Sequence, residues 1–285
     1  MAKIELPAQN QARWVMPLDE FEAPSRLDLT VYAENLLTAQ CLGESGIEWP
    51  IPWQPTDDAD YLPPPSNPSG FPALTVEIAQ ESGYRGHFQP GGWGSAVDRQ
   101  ATAKELNGIA ASTPGFETVF NTCTKEARTT IPTSQVFDES NRVLGWANEA
   151  RSTVSTASPV ITADSAWRDC MKGLGYGSVP ETPLGEDGGM PTQALRHEVG
   201  IPDDPPPAID DAPRLPLTEA EIALAVDDAG CRESSGWSKA VYEALWDAQV
   251  KVLTQHADEL VRMRDEWVAT RARLLKVIAE HAPSR

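Results

Sequence analysis

The stretch WRDCMKGLGYG, residues 167–177, decides how this chain is read. Taken alone, Cys170 is open to three roles: a reactive thiol in a glycine-rich pocket, a metal ligand, or half of a structural bridge. The longer segment ITADSAWRDCMKGLGYG reads as a short helix that carries its cysteine near the end and is closed by glycine. Earlier in the chain, LDLTVYAENLLTAQCLGESGI from Leu27 repeats the pattern, with Thr30 as the expected N-cap. Cys41 is followed by Gly46 and Cys170 by Gly175, the same five-residue step. Each helix leads into a proline-rich acidic segment. Beyond each segment a further helix carries the next cysteine, in FETVFNTCTKEA and in EAEIALAVDDAGCRE. The repetition predicts a diverged internal duplication, in which Cys170 marks a helix end and its glycines are stop signals.

The four cysteines stand singly at 41, 123, 170 and 231. No CxxC pair and no histidine at metal-finger spacing accompanies them, so zinc ribbons and thioredoxin-type redox motifs are unsupported. An even number of isolated cysteines suits two disulfides and an oxidising compartment. The alternative is four buried free thiols in a cytosolic structural protein.

Composition narrows the function classes. The chain has 285 residues, 40% of them hydrophobic, enough to bury a substantial core. Its 42 acidic residues against 23 basic give a formal charge of −19, which disfavours phosphate-backbone binding. No nucleic-acid partner is expected. No window approaches the roughly 20 apolar residues of a bilayer-spanning helix, so the chain is not expected to be integral to a membrane. The start, MAKIELPAQNQARW, has no apolar leader core and no lipid-attachment cysteine. It fits a cytosolic chain, or a mature chain whose export leader has been cut away.

Four regions are expected. Residues 1–26 read as an extended arm. Residues 27–150 form a first helical half interrupted by a proline-rich insertion at 48–72, whose eight prolines forbid regular structure. Helices are predicted near 96–111, 114–128 and 134–150, followed by the linker RSTVSTAS. Residues 151–236 form a second half with its own insertion at 178–216, after which Thr218 and Glu221 make a capping-box pattern. Residues 237–285 carry a long C-terminal helix. Val241, Leu245, Ala248, Val252, Leu260, Met263, Trp267, Leu274 and Ile278 follow three- and four-residue steps, widened by Trp246, Leu253 and Leu275. A helix from Trp237 to His281 would measure roughly 67 Å, so it should outreach the domain or break into two packed segments. His256 lies on the stripe as a core or boundary residue.

Catalytic patterns are missing. GxSxG is absent, and Cys170 as a nucleophile would need a base such as His197 that nothing in the sequence places beside it. The acidic runs at 57–60, 203–211 and 226–230 lack the ligand order of a calcium loop and read as solvated charge. The loop GYRGHFQPGGWGS lacks a phosphate-cradling order. Trp49, Trp53, Tyr61, Phe88 and Trp93 could stack sugars, but read better as aromatics that pack proline-rich loops on a helical core. No catalytic residue, cofactor or metal is expected.

Several segments together resemble a group of exported proteins and lipoproteins of actinobacteria with a four-cysteine framework: WVMPLDEF, CLGESG, CMKGLGYG, EIALAVDDAGC and YEALWDAQVKVLTQHADEL. Residues 160–262 carry the most specific part of the likeness. In that group the mature domain follows a leader, often with a lipid-attachment cysteine, and the genes often lie near export or envelope transport systems. The resemblance implies an extracytoplasmic, secreted or surface-anchored protein with a protein partner in the cell envelope, such as a transport system. It supplies no catalytic residues to carry over.

The expectation is therefore a mainly α, disulfide-braced helical domain with bridges Cys41–Cys123 and Cys170–Cys231. Each would close about 60 to 80 residues and contribute about 4 kcal/mol. The function expected is a non-enzymatic envelope interaction or accessory role, with the C-terminal helix as a surface for a partner helix. The alternative is an envelope enzyme acting on glycan or peptide through loop aromatics and carboxylates.

Overall fold

A computed structural model describes residues 4–11, 14–22, 27–56, 74–85, 96–183, 191–202 and 217–284. Among these the fold is helical and has no strand, only an isolated bridge between Asn10 and Val15. The helices are α1 (Asp19–Glu22), α2 (Leu27–Glu44), α3 (Val76–Ser82), α4 (Ala96–Ser112), α5 (Phe116–Thr130), α6 (Thr133–Ser152), α7 (Ser158–Gly173), α8 (Gln193–Glu198), α9 (Glu219–Ser234) and α10 (Trp237–His281).

Helix α10 is the spine. It packs on α2, α6, α7 and α9 in turn. Every one of the nine residues in its expected stripe is buried, as are Trp246 and Leu253, while Leu275 is half-buried. The helix breaks at His256, whose φ of −115° and ψ of 18° leave the helical region. Both segments stay on the core. At the break the His256 ring stacks on Trp146 with ring centres 4.0 Å apart. From there α6 runs antiparallel to α10: Arg142 pairs with Glu259, Arg262 with Glu139 at 3.3 Å, and Gln135 donates to Glu266 at 3.0 Å.

The two disulfides join helix to helix. Cys41–Cys123 links α2 to α5 with Cα atoms 5.5 Å apart, and Cys170–Cys231 links α7 to α9 at 5.6 Å. No cysteine is free. The two helix ends echo each other bond for bond. After Cys41, the Ile47 N–H donates to the Leu42 carbonyl and Gly46 to Gly43; after Cys170, Tyr176 donates to Met171 and Gly175 to Lys172. These are Schellman closures, and they need the left-handed φ of 79° at Gly46 and 101° at Gly175. The echo weakens at the partner cysteines. Cys123 sits in mid-helix, whereas Cys231 lies in the last turn of α9.

Local expectations need four corrections. Helix α2 begins at Leu27, so Thr30 is a fully buried helical residue and not its N-cap. Leu29, Tyr32, Ala33 and Leu36 make its buried face, and that packing sets the helix start, not a cap. The linker RSTVSTAS is the end of α6 followed by a 3-10 turn at Val154–Thr156, whose Val154 is buried. The insertion at 178–216 contains α8, capped by the Thr192 hydroxyl, which accepts from the Leu195 N–H; its segments 184–190 and 203–216 lie outside the described residues. The first insertion has no regular structure over 48–56, as its prolines require, and 57–72 lies outside the described residues.

The fourth correction concerns the N-terminal arm, which docks. Trp14, Met16, Leu18 and Phe21 are buried against α6 and α10. The Tyr242 hydroxyl accepts from the Asn10 N–H at 2.9 Å and donates to the Val15 carbonyl at 2.8 Å, while the Gln249 side-chain carbonyl accepts from the Leu18 N–H at 3.0 Å. Asp19 accepts from the Met16 N–H at 2.8 Å through one oxygen; its other oxygen is buried without a donor. Burial pushes the Asp19 carboxyl up from 3.8 to about 6, against the lowering effect of the Met16 bond. A raised carboxyl contributes stability that is complete below the unfolded value, near 4, and is lost as pH rises through about 6. Asp19→Asn keeps the Met16 acceptor and removes the charge. It should stabilise the protein by roughly 2–3 kcal/mol at pH 7.5, by about a third of that at pH 4.5, and by little at pH 3. Urea melts of both proteins across that range check this; equal stability curves would contradict it.

Candidate functional site

The densest polar chemistry lies on α9. Its buried stripe includes Glu221, Leu224, Ala225, Asp228, Ala229 and Arg232, so Asp228 and Arg232 face inward as an i,i+4 pair. One Asp228 oxygen accepts from Trp167 Nε1 at 2.9 Å and from Arg232 Nε at 2.7 Å. The other accepts from Arg232 Nη2 at 2.7 Å and from the Tyr84 hydroxyl at 3.0 Å. These donors saturate the carboxylate. Burial, reinforced by the Asp228 charge, pushes the Tyr84 phenol well above its ordinary range and keeps it a hydrogen donor.

The network continues outward. The Arg232 guanidinium lies 5.0 Å from the centre of the Trp237 ring. Trp237 Nε1 donates at 2.8 Å to Asp164, which also accepts from the Thr182 hydroxyl at 2.7 Å. Tyr176 donates to Asp227 at 2.7 Å. Glu198 of α8 accepts from the backbone N–H groups of Gly177 and Ser178, each at 2.6 Å, which closes the turn after α7 and holds its carboxyl below the ordinary range. The acidic run at 226–230 is thus not solvated charge at Asp228, which is 3% exposed. It is the hub that joins α7, α9, α10 and the turn Gly83–Arg85.

Cys170 lies beside this hub as a disulfide sulfur, with no thiol for His197 of α8 to activate. Among the described residues no group of three or more His, Cys, Asp or Glu side chains could hold a metal ion. Trp49 packs on Phe116 and Phe120, with ring centres 5.0 and 5.7 Å apart, so it does pin its loop to α5. Trp53 is more open, at 36% exposure. Tyr61, Phe88 and Trp93, the acidic runs at 57–60 and 203–211, and residues 86–95 of the glycine-rich loop lie outside the described residues.

A different kind of site lies on the outer face of α10 beyond its break. Val268 is 62% exposed, the most exposed of the large apolar side chains described. Val261, Val268 and Leu275 recur every seven residues, and Ala272 and Ala279 lie four residues after the last two. That spacing lines them along one flank of α10, beside the face that packs on the core. Val261 is half-buried, Leu275 is half-buried and packs against the core shared by α2 and α10, and Ala272 and Ala279 are exposed. Residues 267–279 carry Arg271, Arg273 and Lys276 and no carboxylate, in a chain whose formal charge is −19. Sequence reasoning found the inner stripe because core burial demands it, and missed this weaker flank.

No family model, no curated protein and no solved structure matches the chain. No helix among the described residues is long and apolar enough to cross a membrane. The two disulfides fit an oxidising, extracytoplasmic environment.

Proposed function

We propose that the protein is a non-enzymatic interaction or accessory protein of the cell envelope, secreted or surface-anchored, that presents a rigid helical surface to a protein partner. The observation that carries the reading is how the chain uses its polar groups. Beside Cys170 the buried Asp228 has both carboxylate oxygens taken by donors of the chain itself, Trp167, Arg232 and Tyr84. A general acid or base must instead keep an oxygen for its substrate. Two bridges hold the helices behind α10, so its outer face is presented on a stiff support.

Recovery of the protein from its native host under thiol-blocking conditions tests the proposal. The expected result is a chain with all four cysteines oxidised, found in the exported or envelope fraction. Four alkylated cysteines in the cytosolic fraction would overturn it. Hydrolysis of cell-wall glycan or peptide by the purified chain would replace it with the enzymatic reading.

A further inference from the structure

We infer that the N-terminal arm bearing Trp14, Met16, Leu18, Asp19 and Phe21 is a strap that closes on α10 in acid and loosens from it toward neutral pH, baring Tyr242 and Gln249. The inference goes beyond the reading of the chain as an interaction protein and does not depend on it.

The docked arm is a contact with gains and losses in one short segment. Its gains are four buried apolar anchors, with the Trp14 ring edge-on to Tyr242 at 5.4 Å, and the backbone bonds to Tyr242 and Gln249. Its losses are three polar atoms closed off from water without a partner: Trp14 Nε1, one oxygen of Asp19 and Gln249 Nε2. Each has given up a bond to water and received none in exchange. The backbone adds a further loss. Trp14 has a φ of 50°, and it is the one non-glycine residue with a left-handed φ among those described. The helices behind the arm are braced by two disulfides, and the arm has no such brace. It should therefore open on its own, well before the helices separate.

Asp19 ties that opening to pH. It is half-buried, with one oxygen on the Met16 N–H at 2.8 Å and the other facing no donor. Protonated, the group sits there uncharged; ionised, it carries a charge that a single N–H offsets. Burial raises its carboxyl to about 6, so docking gains from the bound proton in acid and loses that gain as pH rises through 6. The groups packed around it do not reverse the sign. From α10, the Tyr242 phenol is pushed up by burial and, less strongly, by the Asp19 charge, so it stays protonated across this range. Arg264 lies over the Phe21 ring at 6.0 Å and pairs with Asp265. Among the described residues no charge of α6 acts on Asp19; Glu139 and Arg142 are paired with Arg262 and Glu259.

Hydrogen exchange of the full, oxidised chain between pH 4.5 and 7.5, read by mass spectrometry and corrected for the intrinsic rate, tests the inference. Peptides covering residues 14–22 should exchange well ahead of those covering 241–253 at every pH. Protection of the arm should fall roughly 20- to 30-fold over this range, the change expected of a carboxyl moved from 3.8 to about 6. In Asp19→Asn it should change by less than about threefold. Asp19→Ser, which also keeps an oxygen for Met16, should be as flat and serves if the first variant does not fold. Arm peptides that exchange only together with those of α10 would show that the arm opens only by global unfolding, and would overturn the inference. So would arm protection equal at the two pH limits, or a fall as steep in the variants as in the parent. The extracytoplasmic reading survives each of these outcomes, since it depends on the oxidation state and fraction of the native protein and not on the arm.

Discussion

Asp228→Ala is expected to lower the stability of the oxidised protein by about 3–5 kcal/mol, the range for breaking a buried ion pair by removing one partner. The reason is what the substitution leaves behind. Arg232 has a side chain 5% exposed and would keep its charge without the carboxylate that grips it through two nitrogens. Trp167 Nε1 would lose its acceptor in a buried site, and the Tyr84 hydroxyl would exchange Asp228 for the Leu224 carbonyl at 3.4 Å. Asp228→Asn should be milder, because its amide oxygen can still accept from Trp167 while the charge pairing is lost. The double replacement Asp228→Leu with Arg232→Met removes the charges together, and should recover most of the loss. Urea denaturation of the four proteins checks this order. A loss below about 1 kcal/mol for Asp228→Ala would mean that water reaches the hub and that the carboxylate is no keystone.

The legibility of that hub shows where sequence reasoning reached and where it stopped. The helix ends at Cys41 and Cys170, the capping of α9 by Thr218 and the inner stripe of α10 were readable, because each rests on local geometry: a left-handed glycine, a hydroxyl three residues before an N–H, and a regular apolar step. The role of Asp228 was not readable from composition, since an aspartate in VDDAG counts as surface charge by default. A signal was present. Asp228 and Arg232 fall four residues apart on the same face as Leu224 and Ala225, so opposite charges stood on a stripe that had to be buried. The start of α2 was missed for the opposite reason. Thr30 looks like a cap, but the partners of its face, Ile131, Leu274 and Ile278, are about 100 residues or more away in the chain. The docked arm has the same explanation: the acceptor and hydroxyl that hold it belong to Gln249 and Tyr242 of α10, far along the chain.

Removal of either disulfide should cost about 4 kcal/mol, since the bridges close 82 and 61 residues and the chain-entropy term grows only with the logarithm of that length. The two losses should nevertheless differ in how they combine with Asp228→Ala. Cys170 and Cys231 lie three residues from Trp167 and Asp228 on the same two helices, so bridge and hub restrain one contact twice. With Cys170→Ala and Cys231→Ala in place, α7 and α9 are held together chiefly by the hub, and Asp228→Ala should then exceed its effect in the oxidised protein. Cys41 and Cys123 brace α2 and α5, which have their own ion pair between Glu34 and Arg128 at 3.0 Å. Removing that bridge and Asp228 together should cost the sum of the two, within about 0.5 kcal/mol. Chemical denaturation of the two triple variants against their parents separates the cases. Additivity in both would show that the second bridge and the hub act on different motions of the chain, and coupling in both would mean that the halves unfold as one unit in which neither brace is local.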